Sequence, residues 1–176
     1  PPPRNRACRC QKRIRRSDDS DKKLGRTIDM MEFRNVYQDT ERAEAYARLE
    51  FPGTYYLAYR DIPTLCKSYV TGKRALDFGC GTGRSTRFLK GLGFVTVGVD
   101  ISADMLKLAQ TKDRQGKYLL VHESPLELLA GYHFDLIFAA FTFDNVPTRE
   151  RKVALFEDLA SILADGGRII NLVSAP

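Results

Sequence analysis

No stretch of this 176-residue chain approaches the roughly 18 consecutive apolar residues of a membrane span, so no membrane helix is expected. The N-terminal stretch also lacks an apolar segment, and a secretory signal peptide is not expected there. Cysteine and histidine are scarce. Cys8, Cys10, Cys66 and Cys80 form no C-x-x-C pair, and His122 and His133 are not at ligand spacing, which argues against a structural zinc site or any other bound metal. Reduced thiols and a cytoplasmic location are the expectation. No internal repeat is visible.

An excess of charge is missing from most of the chain. Residues 1–29 hold 10 Lys/Arg and 4 Asp/Glu, whereas residues 30–176 hold 18 of each. The net charge of +6 therefore belongs to the first 29 residues alone. That tail has few apolar residues to offset its ordering entropy and reads as disordered. Vector or out-of-frame upstream sequence is the favoured reading, with Met30 or Met31 as the candidate initiator. A basic arm or an organelle-targeting presequence is the functional alternative. The neutral remainder disfavours a nucleic-acid partner. Its composition, 43% hydrophobic and 28% charged over the whole chain, suits one domain with a real core.

From Glu32 to about Val70 the pattern is helical and suggests an N-terminal cap over 30–71. "DTERAEAYARLE" is rich in helix formers, Pro52-Gly53 breaks the run, and Pro63 marks a kink or a new helix start. Tyr46, Tyr55, Tyr56 and Tyr59 crowd this region and read as core aromatics rather than ligand contacts. From residue 72 to 176, short apolar runs alternate with helical patterns. The strands are "RALDF", "FVTVGVD", "YLLVHE", "FDLIFAAF" and "RIINLV". Between them lie "STRFLKGLG", "SADMLKLAQ" capped by Ser102, the short turn "SPLELLA", and a helix capped by Thr148 and closed at Gly166-Gly167. Strict alternation with five strands predicts an α/β fold, a doubly wound and mainly parallel sheet with helices on both faces.

The turn "LDFGCGTG" follows the first strand and opens the first helix, where ligands bind in such sheets. Glycines there let a ligand approach the backbone, and the helix start offers free N–H groups. Dinucleotide binders need G-x-G-x-x-G. Here Gly79, Gly81 and Gly83 follow G-x-G-x-G, and Arg84 stands where the third glycine should be. Asp77 would repel a pyrophosphate but suits a ligand with an ammonium group. An NAD-dependent oxidoreductase is thereby disfavoured. Cys80 reads as a small packed residue, with no histidine beside it to make it a nucleophile.

Four segments in order, "LDFGCGTG", "VGVDIS", "FDLIFAAF" and "ILADGGRIINLV", resemble the class I S-adenosylmethionine-dependent methyltransferases over roughly residues 37–176. The resemblance implies a Rossmann-like methyltransferase fold and S-adenosyl-L-methionine as cofactor. It implies that Asp77 orients the methionine ammonium, partly through water, and that Phe78, Gly79, Gly81, Thr82 and Gly83 pack their backbone against the methionine and sugar. Asp100 would accept both ribose hydroxyls. Ile101 and Met105 would flank the adenine, with Glu123 facing its amino group and the Ser124 N–H meeting the ring. Ala140 and Phe141 would line the methyl-donor pocket.

Methyl transfer from a sulfonium needs mainly proximity and alignment. No side chain stands out as a general base, so no catalytic residue is assigned. "FTFDNVP" is the expected acceptor-facing loop, with Asp144 and Asn145 as its polar candidates. It lacks the N-P-P-Y-type motif of amino-methylating nucleic-acid enzymes, which with the neutral domain favours a small-molecule acceptor over nucleic acid and leaves a protein acceptor open. The family's sheet has seven strands, so the resemblance implies that the sixth and seventh are missing here and the substrate site is incomplete. The fifth strand would then be an unpaired edge open to self-association. A non-catalytic cofactor-binding module of the same fold is the alternative.

Overall fold

The computed structural model describes Glu44 and residues 55–122, 126–129 and 131–174. The basic tail, most of the expected cap, Tyr46, Glu123 and Ser124 lie outside the described residues. Two short helices come first, α1 (Tyr55–Tyr59) and α2 (Ile62–Tyr69). Pro63 sits in the first turn of α2, where its missing N–H loses no helical partner, so it starts a new helix. Tyr59 is buried and meets Phe88 edge-on at 5.0 Å between ring centroids, as a core aromatic should, whereas Tyr56 is exposed.

Strands and helices then alternate through β1 (Arg74–Phe78), α3 (Arg84–Gly91), β2 (Val95–Asp100), α4 (Ala103–Lys112), β3 (Lys117–Leu120) and α5 (Leu126–Leu129). They continue through β4 (Phe134–Ala140), a 3-10 turn (Phe143–Asn145), α6 (Arg149–Ser161) and β5 (Leu163–Leu172). All pairings are parallel, in the order β3-β2-β1-β4-β5. Ser102 caps α4 by accepting from Met105 N at 3.3 Å, and Thr148 caps α6 by accepting from Arg151 N at 3.2 Å.

The period of two along each strand splits the core between the sheet's faces. Leu76, Phe78, Val97, Val99, Ile137 and Ala139 join Leu159 of α6 and Leu129 of α5 on one side. Ala75, Leu136 and Phe138 join Leu89 of α3 and Ile62 and Cys66 of α2 on the other. Each fully buried Leu, Ile or Phe contributes about 1.5–3 kcal/mol. The central strands β1, β2 and β4 are buried along most of their length, while the edges β3 and β5 are only partly covered. Among the described residues no helix is long and apolar enough to cross a membrane.

One expected boundary is corrected. The last helix ends at Ser161 instead of running to Gly166-Gly167, and β5 begins at Leu163 instead of Arg168. Phe134 pairs with Leu163 and Leu136 with Arg168, so residues 164–167 stand against Asp135 alone. Gly166 turns this bulge at φ +75°. The glycine pair therefore interrupts a strand and does not close a helix.

Candidate active site

The order β3-β2-β1-β4-β5 reverses direction between β1 and β4, and the carboxyl ends of those two strands frame a crevice. The glycine turn leaves β1 at this point. Gly79, Gly81 and Gly83 take φ of +73°, +53° and +75°, a region costly for any residue with a Cβ. Gly79 N and Cys80 N both donate to Val99 O at 2.9 Å, which ties the turn to β2. A Cβ on Gly79 would collide with the Thr142 side chain, whose hydroxyl donates to Phe78 O at 2.8 Å and joins the ends of β1 and β4. Phe78 and Thr82 are buried within this arrangement.

Asp100 closes the far side. Its Oδ2 accepts from Gly81 N at 2.8 Å and its Oδ1 from Ser102 N at 2.9 Å. Each carboxylate oxygen retains acceptor capacity beyond these bonds. Burial raises the Asp100 carboxyl above its ordinary range, and the N–H groups of Ser102 and Gly81 oppose that.

Asp77 pairs in register with Gly98 and Phe138 and is fully buried. Its Oδ2 accepts from Ser85 Oγ at 2.7 Å and Thr86 Oγ1 at 2.6 Å, both from the first turn of α3. Its Oδ1 is buried and makes no hydrogen bond among the described residues. Burial pushes this carboxyl up to about 6. A buried acceptor without a donor, beside a glycine turn whose residues present no side chain, fits a ligand that brings a cationic donor.

The expected site residues fall into three groups. Asp77, Phe78, the three glycines, Thr82 and Asp100 come together at the carboxyl ends of β1 and β2. Ile101 is exposed just past β2, and Met105 is buried in the first turn of α4. Ala140 ends β4 on the opposite side and Phe141 follows it, at φ +61°. Cys80 is buried, and burial raises its thiol well above the ordinary range, so it stays protonated. Sequence reasoning missed Ser85, Thr86 and Thr142, although a Ser-Thr pair in the first turn of the helix that follows a glycine turn was a readable sign of side chains facing the strand acid.

A parallel sheet with a glycine turn and acids on its first two strands defines a Rossmann-like ligand-binding domain. Residues 76–169 match the model of the methyltransferase domain family, more than half of the 176 residues, and the chain belongs to that family. It is similar to the demethylmenaquinone methyltransferase of Tropheryma whipplei (strain Twist), with 31% identity over 102 residues, 57% of this chain and 41% of the relative. It is also similar to the ubiquinone biosynthesis O-methyltransferase of Coxiella burnetii (strain Dugway 5J108-111), with 27% identity over 103 residues, 57% of this chain and 43% of the relative. The match thus spans less than half the length of these curated relatives. Among solved structures, an S-adenosylmethionine-dependent methyltransferase from Clostridium acetobutylicum ATCC 824 superposes with a TM-score of 0.62 at 25% identity, covering 74% of this chain and 55% of that one.

Proposed function

We propose that the chain binds S-adenosylmethionine at the carboxyl ends of β1, β2 and β4 and transfers its methyl group to a small-molecule acceptor. The observation that carries this reading is the pairing of two acids around one glycine turn. Asp77 offers a buried unpartnered oxygen to the ammonium. Asp100 keeps acceptor capacity for the ribose hydroxyls while Gly81 N–H holds it in place. Membership of the methyltransferase domain family and the likeness to the Clostridium enzyme support the choice of cofactor. The Tropheryma demethylmenaquinone methyltransferase and the Coxiella ubiquinone biosynthesis O-methyltransferase support a small-molecule acceptor.

Bound S-adenosylmethionine supplies an electrophilic methyl group with a good leaving group already attached, so the protein's task is alignment. In this reading the backbone of Phe78, Gly79, Gly81, Thr82 and Gly83 packs against the methionine and sugar. Ile101 and Met105 flank the base, and Glu123 and Ser124 face its edge. Ala140 and Phe141 wall the donor pocket, and the loop carrying Asp144 and Asn145 faces the acceptor. The described part of the expected cap, α1 and α2, packs on the face of the sheet that carries α3. A cytoplasmic location accords with unpaired Cys66 and Cys80. Self-association through β5 belongs to the same reading and is supported by its place at the edge of the described strands.

Calorimetric titration of the 176-residue chain with S-adenosylhomocysteine and, separately, with NAD tests the reading. Saturable binding of the first and none of the second is expected. The reverse result would overturn the methyl-donor assignment.

A further inference from the structure

We infer that Asn145 is a positioning residue that holds Phe141 in a strained backbone conformation at the wall of the donor crevice. This rests on the reading of that crevice as the methyl-donor site. Phe141 is the one non-glycine among the described residues with a left-handed backbone, at φ +61°. That region is unfavourable for any side chain with a Cβ and persists only where the surroundings over-determine it.

The surroundings here do so from several sides. Asn145 Nδ2 donates to Phe141 O at 3.1 Å, and Phe141 N donates to Leu172 O at 2.8 Å on β5. The next residue, Thr142, is pinned to Phe78 O of β1 at 2.8 Å and accepts from Asn145 N at 3.1 Å. Phe143 is buried and stacks on Phe156 of α6 at 4.2 Å between centroids. Asp144 Oδ2 accepts from Ser174 N at 3.0 Å and Ser174 Oγ at 2.7 Å, which fastens the turn to the chain beyond β5.

The strain does nothing for the connection between β4 and α6. Glycine at position 141 would make the same backbone bonds without it. An aromatic side chain held at this place, beside the Thr142–Phe78 junction, has a use only if its ring is needed there. Asn145 is exposed, so its side-chain amide serves the Phe141 carbonyl and not the core. A neutral side-chain donor suits this role because an anion at the same place would repel the carbonyl.

The test is calorimetric titration of S-adenosylhomocysteine into the full chain and into Asn145→Ala, Asn145→Asp, Phe141→Gly and the Phe141→Gly/Asn145→Ala double variant, with melting temperatures recorded alongside. Both Asn145 variants are expected to weaken binding about fivefold, the worth of one net hydrogen bond. Asn145→Ala should cost less than about twofold in the Phe141→Gly background, where no strain remains to be held. Unchanged affinity in both single variants, even with a lowered melting temperature, overturns the inference, as does an equal loss in the glycine background. If the unmodified chain fails to bind S-adenosylhomocysteine, the donor-site reading itself falls.

Discussion

The amide of Gly81 donates to Asp100 Oδ2 at 2.8 Å, so the middle glycine of the turn is bonded to the acid that ends β2. One carboxylate thereby shapes the turn and, in the proposed reading, also accepts from the ribose of the ligand. Asp100→Ala removes both roles. Hydrogen bonds to a charged group are worth about 1.5–3 kcal/mol each, so S-adenosylhomocysteine binding should weaken at least tenfold or so. Asp100→Asn should fall between the two, since one of its terminal atoms still accepts. Titration calorimetry on the three proteins checks the order, and equal dissociation constants would remove Asp100 from the site.

The charge of Asp77 should be visible in the pH dependence of stability. Burial raises its carboxyl from 3.8 to about 6, against the hydroxyls of Thr86 and Ser85 and with help from the Asp100 charge. The folded value lies above the unfolded one. Stability from this group is therefore complete below pH 3.8 and is lost as pH rises through about 6. A gap of about two units corresponds to roughly 3 kcal/mol. Asp77→Asn should flatten the decline across that window, as denaturant midpoints would show. Ligand binding should run the other way, because an ammonium requires the ionised form. S-adenosylhomocysteine affinity is expected to rise through about pH 6 in the parent chain and not in Asp77→Asn. Matching profiles in the two proteins would mean that Asp77 does not meet the ammonium.

Gly79 is constrained twice, by its positive φ and by Thr142. In Gly79→Ala the left-handed backbone costs about 1–2 kcal/mol, and the new methyl drives Thr142 off its bond to Phe78 O. Adding Thr142→Ala should recover part of the loss, because it removes the two nearest atoms, Oγ1 and Cγ2, and leaves the Thr142 Cβ at 2.9 Å together with the backbone strain. Thermal unfolding of the parent, the two single variants and the double variant separates the contributions. Purely additive losses would show that the two residues do not compete for one space.

What the sequence made legible was local. β1 was readable at both ends, since "RALDF" lies between a glycine-bearing loop and the glycine turn. Ser102 and Thr148 showed as caps because capping is decided within three residues. The start of β5 was not legible: Leu163 enters the sheet by pairing with Phe134, a distant contact that no local signal carries. The site divided the same way. Asp77, the glycines and Asp100 stood out through spacing. Thr142 did not, because it matters only through the adjacency of β4 to β1. Ser85 and Thr86 take their meaning from the inward direction of Asp77, which the strand fixes and the motif alone does not.

Tyr118 is a further residue whose part depends on register, and it carries the last prediction. It pairs with Gly98, which in turn pairs with Asp77, so the three share one row across the sheet. A Cβ on Gly98 would lie 2.9 Å from the Tyr118 ring, and one on Gly83 would lie 2.5 Å from its hydroxyl. The side chain thus lies over Gly98 of β2 and backs the glycine turn at Gly83. Its hydroxyl donates to Asp113 Oδ2 at 3.3 Å, and that carboxylate also holds Lys90 of α3 at 2.6 Å. Tyr118→Phe keeps the ring and should lower stability by about 1 kcal/mol. Tyr118→Ala opens space behind Gly83 and should cost about 2–3 kcal/mol, less than a fully buried aromatic because the side chain is half-buried. Only the alanine variant should also weaken S-adenosylhomocysteine binding, since the turn loses its backing there. Denaturant unfolding with parallel titrations measures both quantities. Identical affinities for the phenylalanine and alanine variants would show that the turn holds its shape without the ring.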